Sequence, residues 1–506
     1  MTYSMYLCFA MATLGPSDSP AEPPEPELED ALEPALQRLR QLLEKFGSKP
    51  VSAHAAFELE QQLQAELREL GRVGVEWAYN HVAPSRTDAL PAHVLYEADL
   101  YTRLKRKTPQ EVATVFGKVR LWRVGYRPTH KTGEPTIFPL AQQLGISAGA
   151  TPALAERAAR YQAASGATQR RTLQRLKQEH GVTWGVKKLR QVTKRVAEAM
   201  TEQRHDVQVE KLRQLLEQAW TSTGRHKPVL SVGRDGISFG VPIRGGTIFE
   251  VASAGTVTVL DRRGQRLGTV YLASMPESKQ GTMSSHLTRL VAEVLQRWQR
   301  PLPRLCYVTD AGDNETAYYQ KVLRRMRHPR TGERLAWTRV VDYYHASARL
   351  WSLAEALFGS GPVARAWARR MQKLLKKPNG IRRVLNSAAV LRGRHKLKGK
   401  PKQDFRKAYN YLRERTQYMH YAAYKRVGIP CGSGVTEAAC KTIYTQRLKL
   451  SGMRWKKAGA QTILNLRVLL LSGVWTEAYQ RVLDKFEKVK VPTYDLPNGE
   501  TLEIAA

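Results

Sequence analysis

Three acidic residues have settings that could bring their carboxylates together. Asp235 closes SVGRDG, read as the end of a core strand, with Gly236 leaving room for close backbone approach. Asp310 closes the buried-looking strand of CYVTDAGDN. Glu437 falls in the first turns of a helix that opens after the glycine-rich CGSG, with Ser433 as its expected cap. Two strand ends from one sheet edge and one helix start could share divalent cations, which take hard oxygen ligands. A pair of such ions, roughly 3.5–4 Å apart, activates the attacking oxygen and stabilises the leaving oxygen of an in-line displacement at phosphorus. Taken singly, an Asp at a strand end is most often turn chemistry and a Glu early in a helix most often a dipole partner. Asp313 and Glu315 rank second as rivals of Asp310, because they fall past the strand end, in the loop and helix start. Lys441, one helical turn after Glu437, is expected on the same face, positioned for a phosphate or for the carboxylate itself.

The rest of the chain is cationic. Its 506 residues carry 81 Lys or Arg against 45 acidic residues, a net charge of +36, which concentrates polyanions and makes nucleic acid the expected partner. The four cysteines, Cys8, Cys306, Cys431 and Cys440, lack paired metal-ligand spacing, so neither a zinc module nor a disulfide framework is expected; a reducing cytoplasm fits. The apolar start lacks a basic n-region, so no signal peptide is expected and Met11 is a candidate initiator; no run reaches membrane-spanning length.

Element patterns suggest a multidomain α+β protein. Residues 1–30 read as an acidic, proline-rich arm, 31–110 as a helical region, and 111–150 as a small β unit with a hairpin turning at Gly117. In 151–227, Thr151-Pro152 opens one helix and two more follow, with the turn at His180-Gly181, in the pattern of a helix-turn-helix. The last helix turns Val186, Leu189, Val192 and Val196 inward and offers Lys187, Lys188, Arg190, Lys194 and Arg195 to a phosphate backbone or groove. From Pro228 the order is strands, helix, strand, helix, strand, helix, which is the plan of a ribonuclease H-like α/β core. That core spans 228–360 and resumes at 431–475, interrupted at 361–430 by a basic all-α insertion and followed by a tail at 476–506. The insertion carries twenty Lys or Arg, Arg382, Arg383, Arg394 and Lys396 among them, against only Asp404 and Glu414. Its Tyr409, Tyr411 and Tyr418 are expected to pack internally rather than stack on bases. Arg447, Lys449 and Arg454 complete the expected DNA-contacting set.

At these residues the chain resembles bacterial insertion-sequence transposases of the Kra type, related to the Mutator-like group. The stretches that carry the similarity are VTDAGDN leading to VVDYYHASARLWSLAEALFG, then GSGVTEAACKTIYTQRLKLSGMRW, then AGAQTILNLRVLLLSGVW. Asp342-Tyr343-Tyr344-His345 fits the group's signature of Cys or Asp, two residues, then His. The similarity spans roughly Pro228 to Trp475 and reaches weakly back to about Ala113. It implies a ribonuclease H-like fold interrupted by a helical insertion, with Asp235, Asp310 and Glu437 as the catalytic triad and Asp342 and His345 close by in support. YRPTHKTGEPTIFP lacks the cysteine pair that relatives often carry after the β hairpin, so a zinc-supported end-recognition module is not expected.

The expectation is therefore a DDE transposase that takes two Mg²⁺ or Mn²⁺ ions per site. It would bind double-stranded DNA at transposon ends and target, act as at least a dimer on DNA, and work in the bacterial cytoplasm with no membrane association. The alternatives are a structure-specific nuclease on the same fold and a catalytically decayed DNA-binding descendant.

Overall fold

The computed structural model describes residues 26–48, 50, 52–82, 87, 90–96, 99–129 and 133–487, with the two-residue strands β1 (Met5–Tyr6) and, near the other end, Tyr494–Asp495 paired with Thr501–Leu502. The chain is mixed α+β and divides into two compact units. Residues 1–162, 167–200 and 479–506 form one; residues 163–166 and 201–478 form the other.

In the first unit, α1 (Leu28–Gly47) starts inside the segment expected to be a solvated arm; residues 1–4 and 7–25 of that arm, Cys8 and the candidate initiator Met11 among them, lie outside the described residues. Helix α2 (Ala53–His81) is capped by Ser52, whose hydroxyl accepts the Ala55 N–H at 3.1 Å. Strands β2 (His93–Tyr96), β3 (Asp99–Arg103) and β6 (Tyr126–Pro128) form a small sheet with β1. Strands β4 (Thr108–Thr114) and β5 (Gly117–Arg123) make the expected hairpin: Thr114 faces Gly117 across the two-residue loop, where Gly117 takes a φ of +129°. The hairpin's Val112, Val119 and Leu121 pack against Val75 and Tyr79 of α2.

After a short α3 (Pro139–Gln143) come α4 (Pro152–Ala163), α5 (Gln169–His180) and α6 (Val186–Thr221). Thr168 caps α5, and Gly181 ends it in the left-handed conformation at φ +64°. Leu154, Ala158, Leu176 and Leu189 share a buried cluster around Ala113. Val186 departs from expectation: it is 39% exposed, while Leu189, Val192 and Val196 are buried. Helix α6 runs 36 residues because nothing between Val186 and Thr221 is Gly or Pro.

The second unit is built on a five-stranded mixed sheet of order β11-β10-β7-β8-β9. Strands β7 (Val229–Ile243), β8 (Gly246–Leu260) and β9 (Arg266–Ser274) run antiparallel; β10 (Arg304–Thr309) lies parallel to both β7 and β11 (Trp337–Val341). Alternation assigns the faces. Leu230, Val232, Leu305 and Tyr307 pack with α6 and α7 (Gly281–Arg297), and with Tyr318 and Tyr319 of α8 (Asp313–Lys321). On the opposite face Val229, Cys306, Val308 and Val340 meet α9 (Tyr343–Phe358). That same core takes in α10 (Pro362–Leu375), α11 (Gly380–His395), α12 (Gly399–Glu414) and α13 (Tyr421–Arg426). The basic helices are thus one side of the sheet's own core, through residues such as Leu375, Val384, Phe405 and Leu412.

Helix α14 (Gly434–Cys440), a π-helical turn (Lys441–Thr445), the short α15 (Gln446–Leu448) and α16 (Lys457–Leu471) cover the distal half of the β7–β8 hairpin through Ala439, Ile443, Leu464 and Val468. The segment expected as a tail begins instead with a helix, α17 (Trp475–Glu487). Among the described residues, no helix is long and apolar enough to cross a membrane.

Candidate metal centre

Asp235 does not end its strand. Strand β7 continues through it for eight more residues, because the antiparallel pairing with β8 extends to Ile243. What ends there is the neighbouring pairing: β10 stays in register with β7 only up to Val308 opposite Gly233. Beyond that point one edge of β7 is open, which is why Pro242 is tolerated inside it. Asp310, immediately after β10, therefore reaches the level of Asp235. Both residues fall on the face that carries Val229, Gly233, Cys306 and Val308.

Glu437 is brought to this face by an unusually close approach. A Cβ at Gly233 would lie 2.0 Å from Thr436 Oγ1 and 2.7 Å from Thr256 Oγ1, so only glycine lets α14 lie this close to β7. The two threonine hydroxyls bond each other at 2.8 Å in the buried seam. Ser433 occupies the cap position of α14, but its side chain makes no capping bond. The expected capping gives way to a longer-range link: the Ser433 N–H donates to Asp342 Oδ2.

Asp342 is fully buried and clamps three segments. Its Oδ1 accepts the N–H groups of Tyr344 at 2.6 Å and His345 at 2.9 Å, capping α9, while Oδ2 holds the start of α14. Burial pushes its pKa up, but the His345 imidazole and the Ser433 and His345 N–H groups outweigh that and hold it at about 2. His345 Nδ1 lies 3.4 Å from Asp342 Oδ1 and 3.2 Å from Glu437 Oε1, bridging the buried carboxylate to the half-exposed one. Contact with Asp342 raises the imidazole pKa against the opposing effect of burial, and the charges of Glu437 and Asp310 add to the rise. Asp342, His345 and Glu437 each offer one ligand atom within 4.8 Å of the others, a group that could hold a metal ion.

The carboxylates sense one another. Burial raises the pKa of Asp235, and the charge of Asp310 raises it further, against the Gly236 N–H at 2.7 Å and the Cys440 thiol at 3.5 Å. Glu437 is raised by burial and then, against His345, by Asp342, Asp235 and Asp310. Asp310 is positioned through its own backbone and that of its neighbour. Its carbonyl accepts the Tyr411 hydroxyl of α12 at 2.6 Å, and Arg415 reaches the Ala311 carbonyl at 3.3 Å. Tyr409 stacks on Phe405 and Tyr418 meets Tyr319 edge-on, so these tyrosines do pack internally. Asp235 and Glu437 are thus both pushed up by neighbouring negative charge, which a hard divalent cation would offset. The triad expected from the sequence, Asp235, Asp310 and Glu437, is not itself such a group: of its members only Glu437 belongs to the cluster whose ligand atoms lie within 4.8 Å of one another.

Other expected residues sort by exposure. Lys187, Arg190, Lys194 and Arg195 are exposed on α6 and Lys188 is half-buried there; Arg382, Arg383, Arg394 and Lys396 are exposed on or just after α11. Lys449 and Arg454 are also exposed, although Lys449 Nζ bonds the Ser238 carbonyl at 2.9 Å. Arg447 is the exception: it is fully buried, its guanidinium 5.1 Å from the Trp455 ring centroid, and it cannot contact DNA from there. Lys441 is exposed, and Glu437 pairs with His345 instead; the backbone turns π-helical at Lys441, so an α-helical four-residue spacing no longer applies. Three residues near the carboxylates escaped the sequence reading or were ranked too low: Cys440, the buried Arg234 and Glu315. The chain matches no known family profile, and no curated protein is similar enough to count as a match.

The clamp gives a stability prediction. Asp342 has a depressed folded pKa, so its contribution is complete above the unfolded carboxyl value of about 3.9 and is lost as pH falls to about 2. A shift of that size corresponds to roughly 2–3 kcal/mol. Asp342→Asn, which turns an amide N–H toward the Ser433 N–H, is expected to lower the urea-unfolding free energy by about this amount at pH 7. The gap from wild type should narrow below pH 3; a gap unchanged from pH 7 to pH 2.5 would contradict the clamp.

Proposed function

We propose that the chain is a DNA transposase of the DDE type, with a ribonuclease H-like core, that cleaves the ends of its element and joins them to target DNA. The observation that carries the reading is that Asp310 follows β10 at the level of Asp235 on β7, and that the charges of both raise the pKa of Glu437 on α14. Further support comes from the sheet order, with three antiparallel strands extended by two parallel ones, and from the excess of positive charge.

In this reading Asp235, Asp310 and Glu437 hold two Mg²⁺ or Mn²⁺ ions, which when bound supply an activated oxygen nucleophile and stabilise the leaving 3′-oxygen. Asp342 accepts the His345 N–H at the start of α9, and the His345 imidazole lies against Glu437. Tyr411 and Arg415 hold the Asp310 turn. The helices α4 to α6 act as a helix-turn-helix that recognises the terminal repeats, and the protein works on double-stranded DNA as at least a dimer.

The test uses pre-cut terminal-repeat DNA, a supercoiled target plasmid and Mg²⁺. Joined products support the proposal. Cleavage of uncut ends without joining points instead to a structure-specific nuclease, and binding with neither reaction points to a decayed descendant.

Affinity for terminal DNA should fall steeply with salt, log Kobs against log[salt] having a slope of about −0.9 for each phosphate neutralised. Substituting Lys187, Arg190 or Lys194 should change the preference for terminal over random DNA; substituting Arg382, Arg383, Arg394 or Lys396 should weaken both alike. A flat salt profile in a filter-binding titration would remove DNA as the partner.

A further inference from the structure

We infer that Glu315 is a fourth carboxylate of the metal centre, a ligand that completes the shell of the ion held by Asp310. The inference rests on the metal-dependent function proposed above and deepens it.

Glu315 lies in the first turn of α8, a place where a glutamate ordinarily serves the helix dipole from solvent. Asp313, two residues earlier in the same turn, is exposed and fits that role. Glu315 does not: it is only 7% exposed. A carboxylate so far out of water needs a cation or a set of donors. Among the described residues no cation lies within 4.0 Å of its carboxylate, although its own backbone N–H and the more distant Arg234 charge act to lower its pKa. Arg234, whose charge reaches it, is committed elsewhere: its guanidinium bonds Gln280 Oε1 at 2.6 Å and Ser284 Oγ at 2.8 Å.

The direction in which Glu315 points is set by the Asp310 turn. A Cβ at Gly312 would sit 2.5 Å from Glu315 Oε2 and 3.5 and 3.6 Å from the two Asp310 carboxylate oxygens, so both side chains lie against that glycine. Gly312 donates its own N–H to Asp310 Oδ1 at 3.0 Å. A buried carboxylate without an ion pair, set beside the Asp310 side chain, is one whose counter-charge a divalent ion would supply.

The experiment is a Mn²⁺ titration of the full chain followed by electron paramagnetic resonance, with thermal melts in the same buffers. Glu315→Gln is expected to weaken Mn²⁺ binding about 10- to 100-fold, the range for removing a supporting carboxylate. Without metal its melting temperature should equal or exceed that of wild type, since a neutral amide replaces a buried unpaired charge; with metal the wild-type rise in melting temperature should shrink. Asp313→Asn serves as the control and should bind Mn²⁺ like wild type. Wild-type affinity in Glu315→Gln, with Asp310→Asn binding weakly, overturns this inference and leaves the metal-dependent function standing. Unchanged Mn²⁺ binding in both variants, or none in wild type, overturns both. A metal-free melting temperature for Glu315→Gln well below wild type would mean the carboxylate is structural, and would also reject the assignment.

Discussion

Asp310→Asn is expected to cut Mg²⁺-dependent end cleavage and strand joining by at least about 10²–10³-fold, the scale on which removing one preorganised charge-stabilising group acts. Asparagine has the shape of aspartate and keeps one carbonyl oxygen for the Gly312 N–H, so the turn should survive. The backbone contacts from Tyr411 and Arg415 do not involve the side chain and are untouched. What is lost is the negative charge at the one point where β10 delivers a carboxylate beside Asp235. Binding to terminal-repeat duplexes, followed by gel shift, should stay within about twofold of wild type, because on the proposed reading phosphate is contacted by exposed basic residues and not by Asp310. Binding lost in parallel with cleavage would remove Asp310 from the catalytic role and make it a residue of the DNA interface or the fold.

A second large effect should come from a substitution that alters no acidic or basic group. Gly233→Ala places a methyl 2.0 Å from Thr436 Oγ1, with Thr256 Oγ1 and the Thr436 Cβ also inside contact distance. Both obstructions are branched side chains with little freedom to move away, one of them within α14 itself. The helix must move off β7, which costs about 1–3 kcal/mol as overpacking and breaks the bond between the two threonine hydroxyls. Glu437 moves with α14, away from Asp235 and Asp310. Activity should therefore fall about as far as in Asp310→Asn, while the protein stays folded with a lowered urea midpoint. Removing the opposing side chain, in Gly233→Ala with Thr436→Ala, should restore part of both. A single variant with normal activity would show that the position of Glu437 does not depend on this seam.

Much of the fold was legible because its strands alternate or run as apolar blocks between turn residues, and because helices end where glycine allows a left-handed residue. The turn at Gly117, the end of α5 at Gly181 and the strand before Asp310 all follow from such local rules. Asp235 was misread locally, since its strand continues for want of anything to stop it; its place at the edge depends on where a different strand, β10, ends. Glu315 was ranked too low because helix position alone suggests a solvent-facing dipole partner, whereas its burial comes from long-range packing. Arg447 was assigned to DNA on residue type, and only the tertiary fold encloses it beside Trp455. Ser433 failed as a cap for a similar reason: its N–H is drawn to a carboxylate 91 positions earlier in the chain.

The position of Glu437 in the chain has a consequence for synthesis. Asp235 and Asp310 leave the ribosome before the basic helices α10 to α13, but the helix bearing Glu437, the last acid of the proposed set, follows that whole run. A nascent or prematurely terminated chain that stops before Ser433 has most of its positive charge and lacks Glu437. On the proposed reading, such a fragment could occupy element ends without being able to nick them, so the linear order of the gene would keep an unfinished product from damaging its host's chromosome.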